Sequence, residues 1–169
     1  MRLFVGLRPS DEFRSALSLL QDRLRAAGVT GRFPDPSGLH MTLAFIGEWQ
    51  EEVTEVLPKV EEPFPLVLSH IGFFPEAKVL WAGVEESAAL ERLAARVRYI
   101  LADSGIPFDP KRFNPHITLA RKPSVPAGVI VSGIEIPRAM MTVEEVCLYR
   151  SDRGENGMVY TVIGSSMGA

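Results

Sequence analysis

One five-residue pattern occurs twice in this chain, and a fold that serves both copies must treat them alike. Leu39-His40-Met41-Thr42-Leu43-Ala44-Phe45 returns 76 positions later as Pro115-His116-Ile117-Thr118-Leu119-Ala120-Arg121. Each copy spells His, an apolar residue, Thr, Leu, Ala. In a strand, successive side chains point to opposite faces. His40, Thr42 and Ala44 then share one face, and Leu39, Met41, Leu43 and Phe45 turn to a core. The second copy sorts His116, Thr118 and Ala120 against Ile117 and Leu119. A lone histidine in an apolar strand is ordinarily a hydrogen-bonded core residue. Two of only three histidines, each with Thr at the same offset, shift the weight to function. Similarity at a fixed spacing also points to two related lobes.

The surrounding pattern supports that organisation. Residues 2–7 read as a strand. Ser10 is placed to cap a helix carrying Phe13, Leu17, Leu20 and Leu24 at helical spacing, closed by Gly28. A Gly/Pro loop over 31–38 leads into the first motif strand. A short amphipathic helix is expected over 51–60, then strands over 64–73 and 78–84. His70, without a Thr partner, reads as structural and Trp81 as core. Ser87 opens a second helix through Leu90, Leu93, Val97 and Leu101, ended near Gly105, and a proline-bearing loop delivers the second motif. Strands are expected over 129–136, 141–149 and 158–163, the last two joined by a turn with Asn156-Gly157. The tail, 164–169, is expected to be disordered. The fold class is therefore α+β, bilobed: two pseudo-symmetric lobes, each with an antiparallel sheet and outer helices, facing a central cleft. The whole chain, 1–169, reads as one two-lobed domain.

Composition narrows the function classes. The chain has 46 % apolar and 23 % charged residues, ordinary for a soluble globular protein. Its single cysteine, Cys147, excludes an internal disulfide, suits a reducing cytoplasm and reads as inert packing. No run approaches a membrane span. A net charge of −3 argues against coating long nucleic acid. Local charge differs: Lys111, Arg112, Arg121 and Lys122 bracket His116 and suggest an anion site.

Two imidazoles on one cleft suit phosphodiester cleavage, where one ring accepts a proton from the attacking oxygen and the other donates to the leaving oxygen. Thr42 and Thr118 would hydrogen-bond non-bridging oxygens, and Arg121 would offset developing charge. Neither motif carries Asp, Glu or Cys at ligand spacing, so no metal and no cofactor are expected. No Gly-x-Ser-x-Gly elbow is present. Phe33, Arg112, Tyr149 and Arg150 are further candidate substrate contacts. A non-catalytic binder of RNA ends or nucleotides is the rival from another class. A phosphodiesterase for another small cyclic phosphate or a 2′,5′-oligonucleotide is the rival within enzymes.

The paired motifs, with Arg2-Leu3-Phe4-Val5, Ile46-Gly47, Leu80-Trp81-Ala82-Gly83 and Leu148-Tyr149 in order, resemble the bacterial and archaeal 2′-5′ RNA ligase family. Its members are also called RNA 2′,3′-cyclic phosphodiesterases, within the two-histidine phosphoesterases. The resemblance implies motif strands side by side at the base of a cleft, and metal-free opening of 2′,3′-cyclic phosphates to 2′-phosphates. Reversible 2′-5′ joining of RNA ends would be a related activity. It further implies that His116 activates water, that His40 protonates the departing 3′ oxygen, and that Thr42, Thr118 and Arg121 hold the phosphate. The partners would be RNA ends or nucleotides bearing a 2′,3′-cyclic phosphate, met by a monomer away from membranes. Where many relatives have tryptophan before the first motif, this chain has Phe33, so stacking there would be weaker.

Overall fold

The computed structural model describes residues 1–51 and 53–167. Strand β1 (Arg2–Leu7) leads to helix α1 (Asp11–Ala26), a short β2 (Thr30–Arg32) and the first motif strand β3 (Met41–Glu48). Then β4 (Phe64–Phe74) and β5 (Val79–Val84) form an antiparallel pair, followed by helix α2 (Ala88–Asp103) and the second motif strand β6 (Ile117–Ser124). Strands β7 (Met140–Val143), β8 (Cys147–Gly154) and β9 (Gly157–Ser165) complete the chain.

The helices repeat as the sequence repeats. Ser10 Oγ accepts from Phe13 N–H and Ser87 Oγ from Leu90 N–H, each cap worth about 1 kcal/mol. Gly28 and Gly105, with φ of +93° and +72°, turn the chain out of the two helices in a conformation glycine adopts without strain. Their apolar stripes pack with Leu3, Val5, Leu43, Leu66, Leu80 and Leu119 into one core.

The expected sheet per lobe is instead a single sheet, in the order β7-β4-β5-β6-β3-β1-β8-β9, with β2 added beside β6. The motif strands lie at its centre as antiparallel neighbours, flanked by β5 and β1. In a flat sheet, β7 and β8 would stand six strand spacings apart, about 29 Å at 4.8 Å each. Three residues, Glu144 to Val146, join them, and such a link spans at most about 14 Å. The sheet is therefore curled, which leaves a concave face opposite the helices.

Several expected elements differ. The helix over 51–60 is a single 3-10 turn at Thr54–Val56, held because Val53 and Leu57 are buried; Glu52 lies outside the described residues. The apolar run 129–136 contains a 3-10 turn at Val131–Gly133 and no strand. The run 141–149 is two strands, because Glu144 and Glu145 break it where the chain crosses between sheet ends. The tail is ordered through Ser166: Gly164 and Ser165 pair with Leu148 and Cys147, and Ser166 Oγ accepts from Val146 N–H at 2.9 Å. Gly168 and Ala169 lie outside the described residues.

Candidate active site

The register Met41↔Ile117 fixes the geometry of the two motifs. In an antiparallel pair it sets residue 40 across from 118 and residue 42 across from 116. His40, Thr118, Thr42 and His116 therefore form a quartet on the concave face, each histidine opposite the other motif's threonine.

Both rings are held alike. His40 Nδ1 lies 2.7 Å from Gly38 O, and His116 Nδ1 lies 2.7 Å from Asn114 O. A carbonyl only accepts, so Nδ1 carries the hydrogen in each ring. Each neutral imidazole is left with Nε2 as its proton acceptor. The local environments differ. His40 packs against Phe4 (4.6 Å between centroids) and edge-on to Tyr160 (4.8 Å). His116 meets Phe74 edge-on at 5.0 Å, with Trp81 at 6.3 Å.

Desolvation by these neighbours pulls the His40 pKa down to about 4, with the charges of Arg121 and His116 adding in the same direction. The His116 pKa is also lowered, first by desolvation, then by Arg121. The carbonyl partners oppose the shift in both. Between pH 6.5 and about 4 the unfolded chain binds the His40 proton and the folded one does not. Stability therefore rises with pH across that window and is lost as pH falls through it, by on the order of 3 kcal/mol. His40→Gln removes this contribution: its urea midpoint relative to the parent protein is expected to be higher at pH 4.5 than at pH 7.

Two bulges complete the site. Along β1 and β3 the register runs Val5↔Ala44 and then Gly6↔Thr42, skipping Leu43. Along β5 and β6 it runs Leu80↔Ala120 and then Trp81↔Thr118, skipping Leu119. One extra residue reverses the facing of everything beyond it. Phe45, expected in the core, therefore turns onto the concave face, and Arg121, which strict alternation would bury, does the same. Both line the cleft on each side of Thr42. On the His40 side a cavity of about 650 Å³ adds Arg2, Ser151 and Tyr160. On the His116 side one of about 790 Å³ adds Phe74, Arg98, Lys111 and Arg112.

Arg121 faces this cleft with no carboxylate of the described residues within ion-pairing distance. Lys111, Arg112 and Arg121 from the basic bracket reach the cavity lining. The other candidates sit elsewhere. Phe33 packs on the core with the Arg25 guanidinium 4.3 Å over its ring. Tyr149 is buried, stacked on Phe4 at 4.8 Å, and supports His40 from below. Arg150 is tied to Asp152 at 2.7 Å. Trp81, expected in the core, is half-buried between His70, Phe74 and His116, and Gly72 leaves room for its indole. His70 is exposed and rests edge-on against that indole. Burial pushes the Cys147 thiol up to about 12, so it is inert as a nucleophile at neutral pH. Among the described residues no group of three His, Cys, Asp or Glu is placed to hold a metal ion.

The family model described as the 2′-5′ RNA ligase superfamily matches residues 5–155. The chain belongs to that superfamily. It is 35 % identical to an RNA 2′,3′-cyclic phosphodiesterase of Thermus thermophilus, over 96 % of this chain and 88 % of that protein. It is 31 % identical to one of Aquifex aeolicus, over 96 % and 95 %. Among solved structures, Escherichia coli LigT in its apo form superposes with a TM-score of 0.78 at 28 % identity, covering 97 % of this chain and 95 % of LigT. LigT has also been solved in complex with 3′-AMP, again with a TM-score of 0.78, at 26 % identity. The superfamily match takes in both His-x-Thr motifs, the second half of β1 and all of β8.

Proposed function

We propose that this protein is an RNA 2′,3′-cyclic phosphodiesterase, opening the cyclic phosphate to a 2′-phosphate and a free 3′-hydroxyl. The observation that carries this reading is the matched pair of imidazoles, each with its Nδ1 occupied and its Nε2 available, across one cleft with a threonine opposite each. The relatives' names and the 3′-AMP complex of LigT support the substrate class.

Hydrolysis forms a bond from a water oxygen to phosphorus and breaks the bond from phosphorus to O3′. His116 takes the water's proton as the oxygen attacks, and His40 gives its proton to O3′ as that oxygen leaves in line. Thr42 and Thr118 donate to the non-bridging oxygens, and Arg121 balances the charge gathering on them. His40 resists protonation in the free protein. The bound phosphodiester, an anion beside it, raises its pKa and lets it hold the proton it must donate. If a 5′-hydroxyl of another RNA replaces water, the same steps form a 2′-5′ linkage, which accounts for ligation as a related activity.

A second reading exchanges the two roles, and the electrostatics favour it: His40, the ring more strongly pulled toward neutrality, would be the base and His116 the acid. We also propose that the two halves act as lobes of one domain, that the protein is a cytoplasmic monomer, and that the reaction needs no metal. Among the described residues no helix is long and apolar enough to cross a membrane.

The test is to incubate the protein with a 2′,3′-cyclic nucleotide in excess chelator and separate the products. A 2′-phosphate as sole product is expected. Binding without turnover would transfer the site to a non-catalytic role, and turnover only after adding a divalent metal would remove this mechanism.

A further inference from the structure

The bulges that turn Phe45 and Arg121 into the cleft carry a structural cost. A residue skipped by the ladder lacks a cross-strand partner, and its carbonyl needs another donor when buried. At the two bulges beside the motif threonines, the skipped residues Leu43 and Leu119 find that donor in side chains on the helices. Gln21, on α1, donates from Nε2 to Leu119 O at 3.1 Å and to Pro34 O at 2.9 Å. Arg98, on α2, donates from Nε to Leu43 O at 3.1 Å and from a terminal nitrogen to Lys111 O at 2.6 Å.

These contacts repeat as the chain repeats. Gln21 and Arg98 stand 77 residues apart, as do Pro34 and Lys111, while Leu43 and Leu119 stand 76 apart. Each side chain makes the same pair of bonds. One goes to the loop that leads into a histidine of its own half, and the other to the bulge in the opposite half. Gln21 thus links the approach to His40 with the bulge that aims Arg121. Arg98 links the approach to His116 with the bulge that aims Phe45. Only one residue pair, Met41↔Ile117, joins β3 to β6 directly, and these crossed bonds add to the connection at the seam. Gln21 is 1 % exposed on a helix whose other buried residues are apolar, and both hydrogens of its amide are used.

We propose that Gln21 and Arg98 are positioning residues for the phosphodiester chemistry, holding the bulges and the two histidine loops in a shared register. The proposal rests on the function argued above: Gln21 is buried away from the cleft, Arg98 reaches its lining, and neither touches a reacting atom in that scheme.

The test for Gln21 is a double-mutant cycle on opening of 2′,3′-cyclic AMP with the parent protein, Gln21→Leu, Arg121→Ala and the double variant. If Gln21 acts by aiming Arg121, Gln21→Leu lowers kcat/KM about tenfold or more when Arg121 is present and less than about threefold when it is absent. Equal losses in both backgrounds, or no loss in either, overturn the proposal, because a purely structural contact would cost the same with or without Arg121. If Gln21→Leu does not fold, Gln21→Asn, which keeps the amide but stops one methylene short, enters the same cycle under the same criterion. A crystal structure of the variant gives a readout independent of activity. Arg121 turned away from the cleft supports the proposal, and Arg121 unmoved overturns it. If the parent protein has no activity, the functional reading falls while the crystallographic outcome still decides the role of Gln21.

Discussion

Alanine at His40 or at His116 is expected to lower kcat/KM for a 2′,3′-cyclic nucleotide by about 10²–10⁴-fold, with the fold retained. In the proposed displacement each ring makes one proton transfer, so either substitution removes one of the two. Removing both rings should cost far less than the product of the single losses, because the surviving partner has little left to act with once the other is gone. Circular dichroism of each variant checks that the sheet persists. The roles separate with a substrate whose 3′ bridging oxygen is replaced by sulfur. A thiolate leaves without needing a proton, so the variant lacking the acid recovers on it and the variant lacking the base does not. Recovery of His40→Ala assigns the acid to His40; recovery of His116→Ala assigns it to His116.

Arg121→Ala is expected to lower kcat by about 10²–10³-fold, the usual loss when a charge-stabilising donor is removed. Arg121→Lys recovers only part of it, because an ammonium cannot present two parallel N–H groups to a phosphate. A second consequence is independent of rate. The Arg121 charge lowers the pKa of both histidines. Its removal should therefore move both titrations upward, toward 6.5, in proton NMR of the ring hydrogens. Titrations that stay in place, or move down, would show that Arg121 does not share the cleft with the two rings.

The repeated motif made the centre of this fold legible in the sequence. Two strands with His and Thr on one face and leucines on the other had to sit against a shared core. The serine caps and the closing glycines of the two helices were equally readable, because those positions are set by local backbone chemistry. The bulges left almost no trace. An extra strand residue keeps its apolar character, so Leu43 and Leu119 look like ordinary members of an alternating run. The one hint was Arg121, a charge at a position that strict alternation assigns to the core. Phe45, three residues beyond Thr42 as Arg121 is beyond Thr118, carried no such signal and was misassigned. Gln21 gives no signal in the sequence, because a polar residue beside an apolar stripe looks solvated until the carbonyls it serves are in place. Trp81 failed for a related reason: its hydrophobicity does not say which face of β5 it occupies. The stretch from Val129 to Tyr149 misled because an apolar run does not reveal a chain crossing between distant strands. That crossing depends on the curl of the whole sheet.

If the histidines act as a pair, their two Nε2 atoms address one phosphate, and a crystal structure with the product analogue 2′-AMP tests this most directly. The expected result is a phosphate with His40 Nε2 and His116 Nε2 each about 2.7–3.2 Å from a different oxygen, and Thr42, Thr118 and Arg121 on the remaining ones. A phosphate bound to one ring alone, or seated away from both, would contradict it.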